Sequence, residues 1–193
     1  MLSERDTLRR KAEADALKAW WAGPRDRPFV LPRHEEYDVC TVLFPTPASD
    51  IRFSLRYFVM AVIAKLPWSA PKVFLYRRMG VKIGPDVYIA PGVFLDAFYP
   101  WLIELEDRVF LGMGCRLFTH EITAGYFRIG RVRVGRGSVI GAGSIVRCGV
   151  TIGRGVTTGF SSVVVKDVPD GQTVGGVPAR PLGPDDEDKA CPS

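Results

Sequence analysis

From Val134 to Pro169 the chain runs through six hexapeptides without a break: VGRGSV, IGAGSI, VRCGVT, IGRGVT, TGFSSV and VVKDVP. The first positions, Val134, Ile140, Val146, Ile152, Thr158 and Val164, are five aliphatics and one Thr, and every fifth position is Ser or Val. Gly fills the second position at 135, 141, 153 and 159, with Arg147 and Val165 as exceptions. An apolar residue every six positions fits neither the 3.6 period of a helix nor unbroken strand alternation. It fits short strands separated by sharp turns. A fixed period of this kind dictates a coil of stacked repeats.

The period also occupies Ile83 to Pro100 and Leu105 to Ile122, two blocks of 18 residues beside the final run of 36. The natural unit is therefore three hexads, one triangular turn. The expected fold is an all-β core, a parallel β-helix of four to five coils with an α-helical N-terminal appendage. Coils stacked at strand spacing, ~4.8 Å, give a prism roughly 20 Å tall. First positions should point inward, small fifth positions should pack beside them, and second-position Gly should relax the backbone at the corners. Two interruptions stand out: Trp101 to Glu104, and Thr123 to Arg133 directly after His120. Segments that leave a rigid scaffold are where function concentrates.

Three regions follow. Residues 1–78 form a helical and extended segment capping the prism, 79–182 the prism with its excursion at 119–133, and 183–193 an acidic tail predicted to be disordered. The opening MLSERDTLRRKAEADALKAWW has no apolar core of a signal peptide. It reads as an amphipathic helix with Leu2, Leu8, Ala12, Ala16, Leu17 and Trp20 or Trp21 on one side. Gly23 to Pro47 holds five prolines and reads as an extended linker, followed by helices over Asp50 to Leu66 and around Val73 to Met79. The four cysteines, at 40, 115, 148 and 191, have no framework spacing and are expected to be reduced, as in a cytoplasmic protein.

The net charge of +5 is concentrated: residues 50–82 carry seven Lys or Arg against one acid. Such a segment caps the open end of the prism or rests weakly on a membrane surface. Nucleic acid is not an expected partner, because these basic residues alternate with core-type apolar ones and no recognition motif is present.

With its hexads, Thr119-His120-Glu121 beside the excursion and the ending VVVKDVPDGQTVGGVPAR (Val163 to Arg180), the chain resembles the hexapeptide-repeat acyltransferases of the left-handed β-helix class, in particular acetyl-CoA-dependent sugar O-acetyltransferases. The likeness spans roughly Met79 to Leu182. It implies the left-handed winding, acetyl-CoA as acyl donor, no metal, and a homotrimer with sites between subunits. Of the two histidines, His34 lies in the linker and reads as a surface residue. The resemblance makes His120 the general base. Two acids are placed to orient the imidazole or the acceptor: Glu121, its neighbour in sequence and the catalytic candidate, and Asp96, which stacking puts at nearly the same corner and which with Tyr99 and Trp101 is expected on the acceptor side. Imidazole, with an ordinary pKa near 6.5, is suited to that task at neutral pH. Ala142, Phe160, Val165, Lys166 and Arg180 match the coenzyme-binding positions, Lys166 and Arg180 suiting its phosphates. This chain departs from part of the family, which carries a base where Ile122 stands, and Phe160 replaces a usual small residue.

The leading expectation is acyl transfer, most simply acetyl, to a hydroxyl or amine of a sugar or other small molecule. A non-catalytic β-helix scaffold is a second reading. A zinc hydratase sharing this prism is a third, and it needs three histidine ligands where the repeat region supplies only His120.

Overall fold

A computed structural model describes residues 4–32 and 47–183. Expectations for Leu2, His34, Cys40, Cys191 and the tail beyond Gly183 lie outside the described residues. The N-terminal part holds helix α1 (Glu4–Ala22), strand β1 (Phe29–Pro32), helix α2 (Pro47–Lys65) and helix α3 (Ser69–Arg78). The first coil follows as β2 (Lys82–Ile83), β3 (Tyr88–Ile89) and β4 (Phe94–Leu95), and the second as β5 (Ile103–Leu105), β6 (Phe110–Leu111) and β7 (Arg116–Leu117). The chain then leaves as β8 (His120–Ile122) and β9 (Tyr126–Ile129). It returns for a third coil, β10 (Val132–Val134), β11 (Val139–Ile140) and β12 (Ile145–Val146), and a fourth, β13 (Thr151–Ile152), β14 (Thr157–Thr158) and β15 (Val163–Val164). A bridge between Ile152 and Val168 begins a further turn that ends in β16 (Thr173–Gly176) and β17 (Ala179–Pro181).

The coils stack as three faces of parallel strands. On the first face Ile83, Leu105, Val134 and Ile152 are register partners in turn. The second stacks Ile89, Leu111 and Ile140, then continues through β14 to β16, where Thr158 meets Val174. The third stacks Leu95, Leu117, Val146 and Val164. These are the hexads' first positions, and all are buried apart from the half-buried Ile83 at the starting end. The fifth-position residues Val93, Val109, Cys115, Ser138, Ser144, Val156 and Ser162 are buried beside them.

The prism's starting edge is covered by α2 and α3, whose Met60, Ile63, Val73 and Tyr76 join the same apolar core. Exposed strand-edge groups must find partners, and here helices supply them. The Gly92 N–H donates to the Ala64 carbonyl at 2.8 Å, the Ile89 N–H to Ser69 Oγ at 2.9 Å, and Arg77 to the carbonyls of Ile83 and Gly84.

Helix α1 does something different. Its Leu17, Trp20 and Trp21 pack with Leu31 and Tyr99 on a second, smaller cluster of Leu102, Phe127 and Ile129, while Ala12 and Ala16 stay exposed. The excursion is a hairpin rather than a loop. Tyr126-Phe127-Arg128-Ile129 alternates exposure as a half-buried strand does, and Thr123 Oγ1 accepts the N–H groups of Gly125 and Tyr126 to close the turn. The described part of the proline-rich segment corrects the linker expectation too, since β1 adds antiparallel to β9. Of the four additional residues, Trp101 and Leu102 belong to a 3₁₀ turn, Pro100–Leu102, and Ile103 and Glu104 begin β5.

Second-position glycines play a different part from the one expected. A Cβ at Gly141 would lie 2.5 Å from the Thr158 carbonyl oxygen and 2.6 Å from that of Gly159, so these positions are small because neighbouring coils touch there. The left-handed corner residue is the hexad's fourth, as in Gly155 with φ +62°. Gly141→Ala should therefore cost about 2–3 kcal/mol by overpacking. Gly155→Ala, with open space around it, should cost about 1 kcal/mol from its backbone alone. Urea unfolding midpoints of the two variants check this order.

Candidate active site

The edge between the third and first faces carries the candidate site. Here the hexad's second positions are Asp96, Phe118, Arg147 and Val165, with no glycine among them. Since a second-position side chain aims at the next coil, Asp96 meets the corner above it, Thr119-His120. Its carboxylate is only 1% exposed. Oδ2 accepts the Thr119 N–H and O–H, both at 2.8 Å, and lies 2.6 Å from His120 Nδ1. Oδ1 accepts the Phe98 N–H at 2.9 Å.

Burial alone would raise the Asp96 pKa, but the hydrogen bond and charge of His120 and the backbone donors outweigh it and hold the carboxyl below its ordinary value. An ionised carboxylate can only accept, so Nδ1 of His120 carries the proton of their bond. The Nε2 lone pair is then left for another proton. His120 keeps its ring 17% exposed, stacked obliquely on Phe98 with centroids 4.1 Å apart and flanked by Tyr99 and Phe127.

Around this imidazole stands an aromatic wall drawn from three segments. Tyr99 and Trp101 from the coil meet edge to face at 5.8 Å, and Trp21 of α1 lies 5.5 Å from Tyr99 and 6.2 Å from Trp101. From α2, Phe53 meets Phe98 at 4.1 Å, and Arg56 lies over Trp101 while its Nη2 donates to the Phe98 carbonyl at 3.0 Å. Burial, with Asp96 nearby, pushes the Tyr99 hydroxyl up to about 12, so it remains a donor. Trp21, Phe53, Arg56 and Phe98 were not singled out from sequence. Their segments lie far apart along the chain, and the available signal was the missing glycine along one edge.

Glu121 is placed elsewhere. Its carboxylate accepts Arg147 Nε at 2.7 Å and the Tyr126 hydroxyl at 3.2 Å, so the acid beside His120 in sequence is tied to the hairpin and not to the imidazole. Of the two acids expected to orient the imidazole or the acceptor, Asp96 is the one bonded to the ring. Of the residues matched to the coenzyme, Val165 and Lys166 lie on the His120 edge two coils on. Ala142 and Phe160 occupy the edge between the second and third faces, and Arg180 sits in β17. One chain does not gather them into a single groove. Among the described residues no group of three His, Cys, Asp or Glu is placed to hold a metal ion.

A family model for the hexapeptide repeat of succinyl-transferase matches residues 131–159. YvoF of Bacillus subtilis, provisionally named an acetyltransferase, is 33% identical over 128 residues, covering 65% of this chain and 74% of that protein. The chain belongs to the hexapeptide-repeat acyltransferases. Among solved structures, the hexapeptide-repeat acetyltransferase VCA0836 of Vibrio cholerae matches with a TM-score of 0.60 at 21% identity, over 72% of this chain and 93% of that one. A maltose O-acetyltransferase from Clostridium difficile matches at 0.56 and 21%, over 72% and 88%. VCA0836 complexed with acetyl coenzyme A matches at 0.52 and 19%, over 72% and 91%. This likeness in fold gives the acyltransferase's prism its left-handed winding, against the right-handed crossovers of most parallel sheets.

Stability should report the state of Asp96 in this acyltransferase. Because its folded pKa is depressed, its contribution is present above the unfolded value near 4 and is lost as pH falls through the folded value. Asp96→Asn should cost about 2 kcal/mol at pH 7. The gap in urea midpoint between wild type and variant should hold down to about pH 4 and narrow below it.

Proposed function

We propose that the protein transfers an acetyl group from acetyl-CoA to a hydroxyl, or an amine, of a sugar or other small molecule, with His120 as general base. The observation that carries this reading is the 2.6 Å bond from His120 Nδ1 to a carboxylate already saturated with donors. That bond fixes the tautomer and leaves Nε2 as the free base. Nε2 takes the proton from the acceptor as its oxygen or nitrogen attacks the thioester carbonyl. The tetrahedral intermediate collapses with cleavage of the C–S bond, and the imidazolium returns the proton to the leaving thiolate, giving free coenzyme A and the acetylated product. No acyl-enzyme is needed. General-base help of this kind is typically worth about 10²- to 10⁴-fold. Asp96 acts through His120 as a positioning residue, and the Tyr99–Trp101–Trp21 wall suits the apolar face of a sugar ring.

The donor is read into a groove between subunits of a trimer. Ala142 and Phe160 on one edge and Val165 and Lys166 on another come together when one prism's edge lies against the next. The faces differ in a way that supports such packing. The outward ladder of the first face is Lys82, Glu104, Arg133 and Thr151, which suits water. That of the second begins with Tyr88 and Phe110 stacked at 4.9 Å, and continues with Val139. These three are 44, 42 and 38% exposed in the single chain. Acetyl-CoA binding by VCA0836 and sugar acetylation by the maltose enzyme are properties of proteins with this fold, and they support the choice of donor and acceptor class.

His120→Ala should abolish coenzyme A release, read with a thiol reagent over a panel of sugar and amine acceptors. Asp96→Asn should lower kcat by about 10²- to 10⁴-fold with little change in KM, while Glu121→Gln stays within about tenfold of wild type. Wild-type turnover by the His120 variant would remove this mechanism. Acetyl-CoA at about 100 times its Kd should stabilise the protein by about 2.7 kcal/mol in a thermal shift. Phe110→Asp should lower the mass seen by light scattering from that of a trimer to that of one chain.

A further inference from the structure

Helix α2 uses only one side to build the protein. Phe53, Val59, Met60 and Ile63 meet the core, and Arg56 reaches over to the Phe98 carbonyl. On the opposite side Ile51, Leu55, Phe58 and Val62 are 69, 63, 65 and 49% exposed. Steps of four, three and four residues align these side chains in a stripe about 60° wide along the helix. Trp68, in the turn between α2 and α3, is 67% exposed, and Phe74 on α3 is 62% exposed. Single exposed apolar residues need no explanation, whereas a continuous line of them marks a contact surface.

The charge around the stripe says what kind of contact. Between residues 50 and 82 one acid, Asp50, stands against seven basic residues. Of these, Arg52, Lys65, Arg77, Arg78 and Lys82 are exposed, Arg77 being tied to the carbonyls of Ile83 and Gly84. An apolar stripe bordered by cations and followed by an exposed Trp is the makeup of a helix that lies in the plane of an anionic bilayer. A second copy of the chain brought against the same stripe would bring the same excess of positive charge and be repelled by it.

We propose that α2 and the Trp68 turn dock this protein on an anionic lipid bilayer, with Ile51, Leu55, Phe58 and Val62 entering the headgroup boundary and Arg52, Lys65, Arg78 and Lys82 meeting lipid phosphates. The helix that lies on lipid is the one whose inner side gives Phe53 and Arg56 to the corner of His120. Docking therefore brings the acceptor side of the site next to the membrane surface. The inference is independent of the reaction proposed above.

Full-length protein should sediment with vesicles of phosphatidylglycerol and phosphatidylcholine at about 0.1 M salt, where charges beyond ~10 Å are screened. It should bind vesicles of phosphatidylcholine alone at least about a hundredfold less tightly, four surface cations each being worth a factor of about five. Leu55→Glu with Phe58→Glu should abolish binding while leaving the thermal melt unchanged, because both side chains are exposed. Lys65→Glu with Arg78→Glu should weaken binding with the stripe intact. Protein that stays in solution with anionic vesicles, or a Leu55→Glu/Phe58→Glu variant that sediments as wild type does, would overturn the proposal. A fall in the mass of that variant in lipid-free solution would also overturn it, by giving the stripe to a second copy of the chain.

Discussion

Everything in this molecule hangs on the contact between one coil and the next. Aliphatic side chains at the hexad's first position stack directly over one another, Leu95 on Leu117 on Val146 on Val164, with strand hydrogen bonds holding the spacing between them. Each such side chain, fully buried, is worth about 1.5–3 kcal/mol in transfer free energy. The spacing leaves no freedom at the corners: at Gly112 and Gly135 an added Cβ would strike the backbone of the coil above at 2.6 and 2.5 Å. Two edges of the prism are therefore closed by near-contact of backbone with backbone.

The third edge escapes that constraint because the chain leaves it. After Thr119 the hairpin β8–β9 swings out, and residues with long side chains can occupy the second positions beneath and above its root. They grip it from both sides. Asp96, from the coil below, holds His120, and Arg147, from the coil above, holds Glu121 and donates to the Tyr126 hydroxyl at 2.9 Å. Adjacent residues of one strand are thus held by charges from different coils. Arg147 pairs with Glu121 at 2.7 Å, away from the imidazole. The raised pKa of Arg147, caused chiefly by its bond to Glu121, reflects the same pairing.

This arrangement explains what could be read from the chain beforehand. The inward residues were legible because a six-residue period has a single packing consequence, and His120 because it stands where the period stops. The role assigned to the second-position glycines was wrong: their smallness answers to the neighbouring coil, a contact 15 or more residues away, rather than to their own dihedral angles. Of the two acids that the sequence offered to orient His120, Glu121 is adjacent, but neighbours on a strand point to opposite sides. The residue 24 positions back was the one within reach. Strand β1 and the place of Trp21 beside the His120 corner were invisible for a related reason. Their meaning lies in pairing with β9 and Tyr99, and five prolines between Gly23 and Pro47 concealed a four-residue strand.

The division of labour between the segments has a consequence for specificity. His120 and the carboxylate bonded to it are fixed by coil geometry and cannot move without disturbing the core, since Asp96 and Thr119 are both buried. The wall facing them is assembled from α1, α2 and the Tyr99–Trp101 corner, whose mutual contacts are aromatic edges and one guanidinium over a ring. Ring contacts of this kind tolerate exchange of one aromatic for another far better than a ladder tolerates an added methylene. In the reaction proposed above, choice of acceptor can therefore change in the helices while the His120–Asp96 pair stays as the repeat set it.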